Sequence, residues 1–396
     1  MRERTRRLAG LCLLGDAAFV YYVKSRPLPV EDVDVAEGLD ARLWSFVTPD
    51  GLTMRGKRYA VPGGQPIILA HGFTGNGLEF DIPKKGYNMA TYLARRGFDV
   101  YMYSIRGCGR EPYVSDPGDW LHTMDHFAAL DAPTLIEGIT RETGQKPAWL
   151  GHSMGGMILY MYLQGATLEK VGGELRFSAD QAVAAERNAS VVAGVTLASP
   201  VFFGWPEGSP YGRIMQSAPL RFATAQGVKL LRGLPPERQK IPVMRYLAIV
   251  ADMIPRLASV AAKSPTMFIF YNPKNVDGEV VTLMARTILD NLSARMSIQL
   301  LEDILEGDCR DYTRQFDYTA NMDRITAPML FVTGSKDFVN AGEVRRFGFE
   351  RVSSQVKDFR CFKGFGHTDL VMGNGVEQSI YPFVAEWLES VVTPGG

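Results

Sequence analysis

The chain has 396 residues, 46% of them hydrophobic, and its 43 basic side chains balance 43 acidic ones. That length accommodates one large core plus an inserted subdomain. Zero formal charge supplies no global field to hold nucleic acid or steer a polyanion, which points instead to a small, lipid-like or uncharged substrate.

Arg2, Arg4, Arg6 and Arg7 precede an apolar stretch from Leu8 to Val23, broken by Asp16. Residues 1–30 therefore read either as a membrane-associating segment making peripheral contact or as an N-terminal helix docked on the body of the protein. The run is short for a span and lacks a clear cleavage site, which favours a cytoplasmic or membrane-associated protein over a secreted one. Cys12, Cys108, Cys309 and Cys361 lie far apart without a CxxC pair, arguing against a zinc site or a disulfide framework. Two glycosylation-type triplets begin at Asn188 and Asn291 and matter only in a secreted chain.

Leu43 to Thr48 and Thr53 to Ala60 flank the turn residues Pro49-Asp50-Gly51 and predict an opening hairpin. Strand and helix patterns then alternate. Strands are expected at 66–70, 99–104, 148–150 and 191–197, with helices at 87–96, 131–143 and 154–164. Short apolar strands between helices of this length predict a mostly parallel sheet covered on both faces. After Pro200 the alternation stops, and residues 201–323 read as a helical cap or lid inserted into the core. Strands return at 328–333 and 356–362, and an amphipathic helix closes the chain from about 377 to 391. The expected organisation is thus an N-terminal segment (1–30), an α/β core in two parts (31–200 and 324–396) and the cap between them.

Gly151-His152-Ser153-Met154-Gly155 fits G-x-S-x-G and falls between an apolar strand and an apolar helix. A tight strand-to-helix turn there lifts a serine hydroxyl above the sheet, making Ser153 the candidate nucleophile. His71-Gly72-Phe73 follows the first parallel strand, so the N–H groups of Phe73 and Met154 are the candidate oxyanion donors. A serine needs a base, and the base needs a carboxylate. Of the five histidines, His152 and His71 sit inside these two turns, and His122 and His126 precede the nucleophile. His367, in a Gly-rich loop after the last strand, remains as base. Asp337, directly after the strand ending at Thr333, is preferred as acid over Asp323, which precedes that strand; Asp369 reads as a loop carboxylate. His122 and His126 have zinc-helix spacing but lack the Glu of H-E-x-x-H and a third ligand. No cofactor or metal is expected.

These stretches resemble the α/β-hydrolases, and within them the acid-lipase branch of lysosomal and gastric type. The similarity lies in the VTPDG hairpin, the HGF turn, RRGFDVYMYSIRG, the run from DHFAALDAP to GHSMGG, and FGHTDLVMGNGVEQSIYPFV. It implies the α/β-hydrolase fold, with Ser153, Asp337 and His367 at triad positions and Phe73 and Met154 at oxyanion positions. Residues 201–319 do not visibly match. Met154 stands where acid lipases carry Gln, and without a tidy secretory signal no lysosomal or extracellular address is implied. Similarity to polyhydroxyalkanoate synthases is weaker, since those carry Cys where this chain has Ser153. The expected activity is hydrolysis of hydrophobic acyl esters through an acyl-enzyme. The insertion's Phe202, Phe203, Trp205, Met215, Met244, Tyr246, Met253, Met267, Phe268, Phe270, Tyr271 and Met284 point to an apolar acyl group. An acyltransferase using the same intermediate and a non-catalytic scaffold binding a hydrophobic ligand are the alternative classes. Oligomeric state is not legible.

Overall fold

The computed structural model describes residues 33–171, 174–204, 217–253, 255–339 and 343–392. The basic N-terminal segment and the side chains of Trp205 and Met215 lie outside the described residues.

The chain opens with a hairpin, β1 (Asp40–Val47) and β2 (Thr53–Ala60), paired residue for residue around the Pro-Asp-Gly turn. β3 (Gln65–Ala70) and β4 (Phe98–Tyr103) flank helix α1 (Met89–Arg95). This helix starts later than the apolar pattern suggested because the Asn88 side chain accepts the Thr91 N–H and caps it. Helix α2 (Ala132–Thr143) stops at Gly144, which takes the left-handed conformation at φ +74°. β5 (Ala148–His152) leads directly into α3 (Met154–Leu163), every residue of which is buried. A helix apolar all round must lie inside the protein, and α3 does so beneath the sheet.

A second hairpin, β6 (Ala166–Val171) with β7 (Glu174–Ala179), and helix α4 (Gln181–Ser190) follow. Sequence periodicity did not distinguish these elements, since β6 and β7 form a two-stranded sheet apart from the main one. β8 (Gly194–Leu197) then returns to the core. Within the following insertion the described helices are α5 (Ala218–Arg232), α6 (Val243–Met253), α7 (Pro255–Ala261), α8 (Gly278–Ile288) and α9 (Ala294–Glu306). Two short strands within it, β9 (Lys240–Ile241) and β10 (Leu292–Ser293), pair antiparallel. β11 (Met329–Gly334), β12 (Lys357–Phe362), α10 (Asp369–Met372) and α11 (Val376–Val392) complete the chain.

Among the described residues the main sheet has eight strands in the order β1-β2-β4-β3-β5-β8-β11-β12. Only β2 runs against its neighbours; β4 to β12 are parallel. Alternation along β3 divides the core. Ile68 and Ala70 face α2 and α3, whereas Ile67 and Leu69 face α1 and α11. This is a doubly covered, mostly parallel sheet, as the alternation of patterns predicted. In such sheets binding sites form outside the carboxyl ends of the strands, and β3, β5, β11 and β12 end at one rim. Both glycosylation-type asparagines are buried in this framework. Asn188 spans α4, α3 and the approach to β11 through hydrogen bonds to Leu163, Ala184 and Ala327. No described helix is long and apolar enough to cross a membrane.

Candidate active site

Ser153 occupies the turn between β5 and α3 with φ +50° and ψ −116°, a conformation that non-glycine residues rarely adopt. The turn holds because its N–H donates to Leu197 O at 2.9 Å and because its neighbours are small. A Cβ on Gly155 would lie 2.0 Å from the Ala70 carbonyl oxygen, so only glycine lets α3 approach β3 this closely.

His367 Nε2 stands 2.9 Å from Ser153 Oγ. Its Nδ1 lies 3.1 and 3.2 Å from the two Asp337 oxygens. A carboxylate can only accept there, so Nδ1 carries the proton and Nε2 is the acceptor for the serine hydroxyl. Asp337 is fully buried beyond the end of β11 and also accepts the Val339 N–H at 2.9 Å. The loops bearing acid and base are bound to each other, since Lys336 N–H donates to Phe365 O at 2.7 Å. A Cβ on Gly334 would fall 2.3 Å from that same oxygen. The three residues singled out for a triad therefore meet at the sheet rim.

Asp369 is more than the loop carboxylate expected from sequence. It is buried and accepts hydrogen bonds from Gly366 N–H (2.7 Å), Asn275 Nδ2 (2.9 Å) and Asn272 N–H (3.3 Å). It thereby ties the His367 loop to the insertion, and Thr368 N–H adds a 2.8 Å bond to Phe270 O. Burial raises the Asp369 carboxyl above its usual range, against the pull of these donors.

The HGF turn lies against the serine: a Cβ on Gly72 would be 3.5 Å from Ser153 Cβ. Among the described residues no protein acceptor takes the N–H of Phe73 or of Met154, the latter being the first residue of α3. His71 is locked by Nδ1–H donating to Gly72 O at 2.7 Å and Nε2 accepting from Ile105 N–H at 3.2 Å. Burial holds it below the usual histidine range, hence neutral.

Sequence reasoning missed Glu79. It is buried, follows the HGF turn, and accepts the Gly72 N–H at 2.6 Å. Its other oxygen meets His152 Nδ1 at 2.6 Å as an ion pair, off the line a hydrogen bond takes. His152 in turn lies 3.4 Å from His367 O through Nε2. Burial opposes charge on both partners; nevertheless their mutual attraction leaves Glu79 below and His152 above their ordinary values. One acidic residue inside Leu78-Glu79-Phe80 was the only signal, and apolar neighbours alone do not reveal its partner.

His122 and His126 are buried, and His126 Nδ1 accepts the Thr123 N–H at 3.1 Å. Among the described residues no group of three His, Cys, Asp or Glu side chains is disposed to hold a metal. A small hollow beside α3 is lined by Met157, Tyr160, Met161, Val201 and Met322 among others; neither Ser153 nor His367 lines it.

Comparison with known proteins agrees with this architecture. Residues 65–171 match the family model described as the alpha/beta hydrolase fold. A triacylglycerol lipase 2 of Arabidopsis thaliana is 33% identical over 127 residues, covering 28% of this chain and 30% of that protein. Gastric triacylglycerol lipase of Bos taurus is 30% identical over 159 residues, covering 35% of this chain and 40% of the lipase. The matches thus span less than half of these relatives. A soluble variant of monoglyceride lipase from Saccharomyces cerevisiae superposes with a TM-score of 0.57 at 14% identity, covering 93% of this chain and 99% of that one. A monoacylglycerol lipase of Paleococcus ferrophilus gives 0.52 at 18% identity, covering 89% and 99%. The protein has the α/β-hydrolase fold. Over the matched stretches its sequence is similar to lipases of gastric and lysosomal acid type.

Proposed function

We propose that this protein is a serine carboxylic-ester hydrolase acting on hydrophobic acyl esters, with Ser153 as nucleophile, His367 as general base and acid, and Asp337 as the orienting carboxylate. The observation that carries the reading is the continuous contact from Ser153 Oγ through His367 to the buried Asp337. His367 Nε2 takes the hydroxyl proton as Oγ attacks the ester carbonyl. The oxyanion is received by the N–H groups of Phe73 and Met154, each such donor contributing about 3 kcal/mol to transition-state stabilisation. Protonated His367 then releases the alcohol. Water, deprotonated by the same ring, cleaves the acyl-enzyme.

The insertion between β8 and β11 acts as a cap in this reading. Phe268 packs edge-on against Phe338, next to Asp337, and the Phe270 carbonyl holds Thr368 beside the base. An apolar acyl chain fits such surroundings. The test is Ser153→Ala against p-nitrophenyl esters, together with fluorophosphonate labelling. Wild type should be labelled and active, and the variant should be folded, unlabelled and inactive; undiminished hydrolysis by the variant removes the proposal.

A further inference from the structure

Where the insertion meets the core, two guanidinium groups share a single carboxylate. Arg245, on α6, is only 1% exposed, Arg110 is 5% exposed, and Asp290 is fully buried between them. Asp290 is already saturated. One oxygen accepts Gly109 N–H (2.9 Å), Arg110 Nη1 (3.0 Å) and Asn76 Nδ2 (3.3 Å); the other accepts the backbone N–H and the side chain of Asn291. Arg110 also donates to the carbonyls of Arg286 and Leu289. Arg245 receives none of this. Its Nη2 stands 3.4 Å from Asp290, and among the described residues none of its three side-chain nitrogens makes a hydrogen bond.

A buried cation with every donor unspent is an unfavourable state unless something else occupies those donors. Two positive groups against one negative group leave a local excess of one positive charge, which overall neutrality conceals. A planar guanidinium with free N–H groups is shaped for a bidentate oxyanion. The location matters as well. Asp290 N–H donates to Thr74 O at 3.0 Å, and Thr74 directly follows Phe73 of the HGF turn. Through Asp290, which both meets Arg245 at 3.4 Å and bonds Thr74, the Arg245 guanidinium is linked to the residue next to the candidate oxyanion turn.

We infer that Arg245 is the anchor of a carboxylate-binding subsite, and that the preferred ester carries a carboxylate on its otherwise apolar acyl chain. This rests on the ester-hydrolase reading above. Because Arg245 is closed off from solvent, the ligand enters as the α6 segment lifts, and one monoanion neutralises the excess charge.

The test compares p-nitrophenyl hemiesters of succinate, glutarate, adipate and suberate with their methyl-capped, neutral counterparts. At the chain length that reaches Arg245, wild type should favour the acid over its neutral counterpart by about tenfold in kcat/KM. Arg245→Met should abolish that ratio and Arg245→Lys should retain part of it. The wild-type preference needs no variant, so misfolding of either variant leaves the test intact. Ser153-dependent hydrolysis with no preference at any length, or a preference unchanged in Arg245→Met, overturns the subsite and leaves the hydrolase reading standing. If instead no ester is turned over and Ser153 is not labelled, the hydrolase reading fails. Calorimetric titration of monomethyl adipate into Ser153→Ala protein then decides the subsite: binding lost in Ser153→Ala/Arg245→Met upholds it, and absence of binding overturns it.

Discussion

At the residue scale, the buried Glu79–His152 pair joins the two turns that converge on Ser153. Glu79 holds the Gly72 N–H from one oxygen and His152 from the other, so the HGF turn and the elbow share one anchor. Glu79→Gln should lower kcat by about tenfold, which is about 1.4 kcal/mol of transition-state stabilisation, while leaving KM close to wild type. Steady-state kinetics on one p-nitrophenyl ester separates the two; a rise in KM alone would place Glu79 in ground-state binding. The pair also has a defined pH signature. Folding lowers Glu79, so its contribution is present above the ordinary value of 4.5 and fades as pH falls through the depressed value. Folding raises His152, so its contribution is complete below 6.5 and fades as pH climbs through the elevated value. The stability difference between wild type and Glu79→Gln should therefore be greatest from pH 4.5 to 6.5, at about 3 kcal/mol, and shrink on either side. Urea unfolding across the pH range measures it; a difference that is flat with pH contradicts the pairing.

At the element scale, the site depends on how closely helices approach strands. Gly155, in the first turn of α3, lies against β3, and the steric demand there is local and strict. Gly155→Ala must push α3 away from the Ala70 carbonyl, costing about 1–3 kcal/mol and moving Ser153 from its perch. Thermal melting should fall with activity, and retention of both would show that the helix can shift freely. A second joint is Arg106, only 2% exposed, which follows β4. It pairs with Asp131 at 2.6 Å, at the start of α2, and with Asp50 in the β1–β2 turn. Tyr103 donates a further bond to Asp131 at 3.1 Å. Arg106→Met leaves Asp131 buried with an uncompensated charge and should cost about 3–5 kcal/mol in denaturant unfolding. A loss below 1 kcal/mol, roughly that of an exposed pair, would mean that Asp131 is protonated in the folded protein.

At the scale of the whole molecule, the sheet supplies a rim, and residues 268–275 of the insertion bind the loops at it. Contacts from Phe268, Phe270, Asn272 and Asn275 reach the loops that carry Asp337 and His367, so the insertion and the candidate triad are mechanically connected. An apolar acyl chain bound between them should show as chain-length selectivity. Octanoyl p-nitrophenyl ester should exceed acetyl by about tenfold or more in kcat/KM, since each buried methylene contributes up to about 0.8 kcal/mol. Equal rates across the series would remove the cap from substrate selection.

What the sequence determined by itself was whatever neighbours in the chain decide: the alternation of apolar strands and helices, the turn chemistry of Pro49-Asp50-Gly51, and the glycine-flanked serine. The order of serine, acid and histidine along the chain narrowed the candidates, because only one histidine stood after the last strand. Tertiary structure alone decided the partners of buried charges. Glu79 finds His152, Asp369 gathers Gly366 with Asn272 and Asn275, and Arg245 is left beside an already saturated Asp290. Periodicity and turn preference act over a few residues and leave a local pattern. The pairing of a charge far along the chain depends on which loops the closed sheet brings within hydrogen-bond reach, and no local pattern encodes that distance.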